Sequence, residues 1–154
     1  MVPKVDVVVL GLLAEEPLYG YELLDRFGER AMDLWVEIGR ASVYQALGRL
    51  EDGGFVTGRA QEGREGPDRR VFRIARGGRE RLRAGLLERF AATDEQEAAL
   101  ALGFAHLLSS TEARRAVDAR ESAVRDLLDA IRRRGPQPSP RRCSIARRRS
   151  RRRS

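Results

Sequence analysis

Apolar positions along this chain recur first at helical and then at strand spacing, and the changes of period mark its elements. Residues 5–14 are almost continuously apolar, so Val7, Val8, Val9 and Leu10 could form a buried strand by pattern alone. The length of the run, and Val9, Leu10 and Leu13 at three and four apart, fit a helix buried on more than one side. Residues 15–20 read as a break. A second helix opens at Gly20 or Tyr21, with Leu23, Leu24 and Phe27 inward and Glu22, Asp25, Arg26 and Glu29 outward. Residues 31–38 form a connection that carries Trp35. In residues 40–52 the positions Val43, Ala46, Leu47 and Leu50 fall on one helical stripe, and Gly53-Gly54 stops the helix because glycine accepts a left-handed cap. Two short runs with β-branched and aromatic members follow, 55–60 and 69–74, joined by the turn-rich residues 61–68. Val71 and Phe72 are adjacent, so the alternation of the second run is imperfect.

Gly77-Gly78 leads into a helix over about 79–92, with Leu82, Leu86 and Phe90 spaced by four. Thr93 with Gln96, and Ser109 with Glu112, match capping boxes that open two more helices, over about 94–108 and 111–133. In the last of these, Val117, Val124 and Ile131 recur every seven residues, with Leu127 and Leu128 beside them. This seam covers either the chain's own helices or a second copy. The second copy is favoured, because two extended helices on a small domain have little intramolecular surface left to cover. The expected fold is mainly α with a small β-hairpin.

Charge sharpens the picture. The formal net charge of the 154 residues is +7, but residues 132–154 hold eleven arginines and no acid. The preceding 131 residues are mildly acidic, with 19 basic and 23 acidic side chains. Within them residues 40–89 are the one basic segment, 12 against 7, flanked by 3 against 8 before and 4 against 8 after. A helix and hairpin of one sign on a body of the other form an electrostatic footprint for a polyanion. From Gly135 the composition turns to proline, serine and arginine, which cannot bury enough apolar surface to offset ordering. That tail adds salt-sensitive affinity for nucleic acid or is an incidental arginine-rich end; no site is assigned to it. The domain reading is therefore 1–92, 93–133 as a helical dimerisation segment, and 134–154 as a disordered tail.

The polar face of the 40–52 helix carries the chemistry. Ser42, Gln45 and Arg49 are short or planar hydrogen-bonding groups of the kind that reach base edges from the major groove, Arg suiting guanine and Gln adenine. Tyr44, at the edge of that face, can pack its ring inward and offer its hydroxyl to a phosphate, and Arg40 stands at the helix start, where free N–H groups favour an anion. Arg64 in the loop, with Arg69, Arg70 and Arg73 beside it, gives the hairpin a phosphate-gripping tip, although an isolated hairpin of this kind is as often a solvated surface. Trp35, Tyr21 and Phe90 are ordinary core candidates that could instead line a pocket for an apolar effector. A single histidine, His106, expected on the apolar side of a helix, and a single cysteine, Cys143, leave no disulfide or His/Cys metal cluster to build. No paired carboxylates, nucleophile motif or phosphate loop points to an enzyme, and no cofactor is expected. No run of about 18 uncharged apolar residues supports a membrane helix, and 5–13 lacks the flanks of a signal peptide, so a cytoplasmic location is expected.

Three blocks resemble the PadR family of bacterial transcriptional regulators: Leu10 to Ala14 with Pro17-Leu18-Tyr19-Gly20-Tyr21-Glu22-Leu23; Ser42 to Val56; and Gly66 to Ile74 with Gly77 or Gly78. The chain departs from the family pattern at Tyr19, Gln45 and Ala75, where histidine, proline and threonine are frequent. The resemblance implies a winged helix-turn-helix domain followed by C-terminal dimerisation helices, and a homodimeric repressor that binds double-stranded DNA. It also implies release by a small apolar or aromatic effector. Arg40, Ser42, Tyr44, Gln45 and Arg49 then belong to the recognition helix, Arg64, Arg69 and Arg70 to the wing, and Val117, Val124, Leu127, Leu128 and Ile131 to the dimer interface. The competing reading keeps the winged fold as a protein-protein interaction module without specific DNA readout.

Overall fold

A computed structural model describes residues 1–29, 38–60 and 70–134. The continuously apolar first segment is a helix, α1 (Lys4–Glu15), in which Asp6 to Leu13 are all buried. It can be apolar all round because other elements surround it. These are α2 (Gly20–Glu29), α3 (Arg40–Asp52), β3 (Arg70–Ile74), which is paired with β2 (Val56–Ala60), and α4 (Arg76–Ala91). The C-terminal part consists of α5 (Glu95–Gly103), a single 3₁₀ turn (Ala105–Leu107) and α6 (Ser110–Arg134), which reaches one residue into the expected tail.

The break after α1 holds an element too short for periodicity to reveal, the two-residue strand β1 (Leu18–Tyr19). It completes an antiparallel sheet of order β1-β3-β2, with Leu18 opposite Phe72 and Tyr19 opposite Val71. The β2–β3 register sets Thr57 opposite Arg73, Gly58 opposite Phe72 and Ala60 opposite Arg70. Thr57, Arg59 and Arg73 therefore share the outer face, and Gly58, Arg70 and Phe72 the inner one.

α3 ends as its glycines dictate. Gly54 has φ +71, the Phe55 N–H donates to the Leu50 carbonyl at 2.8 Å, and the Gly54 N–H donates to that of Glu51 at 2.9 Å, a Schellman cap. α4 starts three residues earlier than periodicity predicts, since Gly77 and Gly78 lie inside its first turn. Gly78 is needed there because a Cβ would stand 2.1 Å from the Phe55 carbonyl oxygen.

The C-terminal helices share one core with α1. Phe104 is fully buried and its ring fills the space that a Cβ on Gly11 would occupy, 2.5 Å from Cε1. Burying such a ring contributes about 2–3 kcal/mol. This contact explains why α5 stops at Gly103 rather than continuing to Leu108: the chain must turn to aim Phe104 at α1. The cap of α5 is Asp94, one residue after the expected Thr93, and its carboxylate accepts from the Glu97 N–H at 3.0 Å. The second capping box is present, with the Glu112 N–H donating to Ser109 Oγ at 3.3 Å and Glu112 Oε2 accepting from the Ser109 N–H at 2.9 Å. The Arg83 guanidinium, together with Ser109, holds the Glu112 carboxyl down to about 2, tying α6 to α4. His106 does not sit on an apolar helix face; it is exposed on the 3₁₀ turn, its Nε2 2.8 Å from Glu15 Oε1.

Candidate nucleic-acid interface

The inward stripe of α3 is fully committed: Val43, Ala46, Leu47 and Leu50 are all buried against α1 and its neighbours. Ser42, Gln45 and Arg49 lie on the exposed side, as expected. Gln45 is flanked four residues before by Ala41 and three after by Gly48, both exposed, so small residues border it on one side while Ser42 and Arg49 lie along the same ridge. Such a border lets the helix backbone approach a groove closely. The start of α3 is bare: Gly39 offers no side-chain cap, the first turn contains no acid, and Arg40 is exposed there. A cation at the positive end of a helix is locally unfavourable, and an anion would relieve it.

Tyr44 is half-buried, with its ring packed beneath Gly20, where a Cβ would come within 2.9 Å of Tyr44 Cε1. The Gly-Tyr step that opens α2 thus has a packing role, and it orients α3 against α2.

Two of the expected DNA contacts have partners within the protein. Arg49 Nη2 lies 2.9 Å from Oδ1 of Asp6, a buried carboxylate on α1. Arg70 is not at the wing tip. Strand parity turns it inward with Phe72, where it forms a two-pronged pair with Glu51 of α3, Nη2 to Oε1 at 2.6 Å and Nη1 to Oε2 at 3.1 Å. Glu51 Oε1 also accepts from the Gly58 N–H at 3.0 Å, so this cluster joins the hairpin to the end of α3. Arg64, Arg69 and Trp35, and the segment from 135 onward, lie outside the described residues.

The exposed hairpin face carries Arg73, one of the hairpin arginines expected beside the loop, and Arg59, which was not among the expected contacts. The parity that separates Arg73 from Arg70 could have been read from the alternation around Phe72, had the adjacent Val71 not blurred it.

The profile of the "Transcriptional regulator PadR-like family" matches residues 9–84, which run from α1 through the sheet into α4. Residues 9–84 are a PadR-like domain. The fold is a winged helix-turn-helix followed by C-terminal helices. Solved structures similar to the chain include the following two. A PadR family transcription regulator from Clostridium difficile is 21% identical with a TM-score of 0.47, over 56% of this chain and 86% of that one. Bacillus subtilis PadR in complex with operator DNA is 23% identical with a TM-score of 0.49, over 87% of this chain and 80% of that one. No curated protein matches the sequence.

In this PadR-like chain α6 is anchored to α4 through one face of its first half. Ala116 is buried, Arg83 pairs with Glu112, and Arg120 donates to the carbonyl of Ala92 at the end of α4. Along its other face Val117, Leu127, Leu128 and Ile131 are 46–58% exposed, with Val124 partly covered between them. Of the three residues expected to line an effector pocket, Tyr21 and Phe90 are described. Tyr21 is exposed on α2 and stacks on Tyr19 at 5.5 Å, whereas Phe90 is part of the core. A cleft of about 300 Å³ lies elsewhere, lined by Ala14, Arg79, Leu82, Arg83 and Leu107. Among the described residues no helix is long and apolar enough to cross a membrane, and no cluster of three His, Cys, Asp or Glu is placed to hold a metal ion.

Proposed function

We propose that this chain is a homodimeric repressor that binds double-stranded DNA sequence-specifically, with residues 1–92 as the reading unit and 93–133 as the pairing unit. One observation carries the reading: Gln45 and Ser42 project from a helix face kept low by Ala41 and Gly48, beside an uncapped helix start and an arginine-bearing hairpin face. In a major groove Gln45 has the reach and geometry for the paired donor and acceptor of an adenine edge. Arg40, the first N–H groups of α3 and the Tyr44 hydroxyl take phosphates on one side; Arg59 and Arg73 take them on the hairpin side. The bare seam of α6 supports pairing of two copies, which would present two such helices. Release by a small apolar or aromatic effector belongs to the same reading, and the cleft beside α4 has room for such a molecule.

The test is selection from a random duplex library with the purified protein, followed by titration at several salt concentrations. The expected product is a pair of related half-sites with centres about 34–36 Å apart, bound with an affinity that falls linearly in log K against log salt. Selection of no duplex, with binding to a protein partner alone, would overturn the reading in favour of an interaction module.

A further inference from the structure

Asp6 is a buried carboxylate, 3% exposed, inside an otherwise apolar helix. It is held by two arginines from different elements: Arg49 of α3 at 2.9 Å from Oδ1, and Arg81 of α4 at 3.4 Å from Oδ2. Arg81 is fixed in turn over the Phe55 ring, 4.9 Å from its centroid. Arg49 differs in kind. It stands one turn beyond Gln45 on the same exposed ridge, and about half of its side chain, 53%, remains open to solvent. Its guanidinium thus borders the surface assigned to DNA while one nitrogen is committed to the interior.

From this geometry we infer that Asp6 is a positioning residue that withholds Arg49 from the DNA backbone, limiting the sequence-independent part of the affinity. The inference rests on the DNA-binding reading above. The physical ground is an inequality. Leaving a desolvated carboxylate without its closer partner costs more than one solvent-exposed contact with a phosphate returns, because exposed ion pairs contribute little and buried unpaired charges cost much. Arg81, at the longer distance, does not replace Arg49. The guanidinium therefore stays on α1 when the helix meets any duplex, and discrimination falls to Ser42 and Gln45.

Asp6→Asn keeps the shape of the side chain and an acceptor oxygen but removes the charge that holds Arg49. Wild type, Asp6→Asn, the double variant Asp6→Asn with Arg49→Gln, and Arg49→Gln alone are titrated with a duplex unrelated to the selected site across a range of salt. Asp6→Asn should bind roughly fivefold more tightly at about 0.15 M salt, with a salt slope steeper by roughly one, the signature of one added phosphate contact. The double variant should return to the wild-type slope. Arg49→Gln alone should leave the slope unchanged, and this arm does not depend on the folding of Asp6→Asn. An unchanged slope in folded Asp6→Asn, or a slope reduced by about one in Arg49→Gln, overturns the inference while leaving the DNA reading intact. A wild type without affinity for any duplex overturns both.

Discussion

Gly78→Ala is expected to lower the unfolding free energy by about 3 kcal/mol and the melting temperature by roughly 10 °C, in thermal or urea unfolding. The added methyl would meet the Phe55 carbonyl oxygen at 2.1 Å and Ile74 Cγ1 at 2.8 Å. The nearer of these is backbone, so no rotamer change relieves it. That same carbonyl accepts from the Ala75 N–H at 2.9 Å, so displacing it would also loosen the joint between the hairpin and α4. Gly48→Ala is the control of opposite sign. It lies on the surface of α3 with nothing within 4 Å of an added Cβ, and alanine is the better helix former by about 1 kcal/mol. Gly48→Ala should therefore stabilise the fold slightly. A Gly78→Ala protein within about 0.5 kcal/mol of wild type would mean that α4 does not press on the hairpin base as described.

The second large effect concerns assembly. Introducing Leu127→Glu together with Ile131→Glu should convert the protein to a monomer in sedimentation or light scattering, without loss of helical content. Both side chains are already about half exposed in a single copy, 46% and 58%, so their charge costs the monomer little. Across a paired seam the same charges would face apolar surface and each other, which burial does not permit. In the proposed dimer, loss of pairing would separate two reading helices that together engage one operator. Affinity for a duplex with both half-sites should then fall by about 10² to 10⁴, while that for a single half-site stays near the wild-type value. A variant that remains dimeric would place the interface elsewhere on the chain.

These expectations draw on elements that were unequally legible in the sequence. The helix bounds 40–52 followed from a strong apolar stripe and a glycine stop, both local signals. The capping box at Ser109 and Glu112 was equally local and is present. Tertiary requirements decided the rest. β1 exists because Leu18 and Tyr19 pair with β3, not because two residues have a period. α5 ends early because Phe104 must enter the space left by Gly11. At the site, the exposed positions of Ser42 and Gln45 were readable from helical phase alone. The fate of Arg49 and Arg70 was not, since their acidic partners lie 43 and 19 residues away in sequence. A basic residue on a polar face announces its charge but not the carboxylate that claims it.

The central claim is that the ridge of α3 reads base edges, and it is tested most directly by repeating the duplex selection with Gln45→Ala. The account predicts that the variant recovers the same half-sites and spacing but tolerates any base at one position in each, with a loss of about 1–3 kcal/mol against the wild-type site. Identical base preferences in wild type and variant would contradict it.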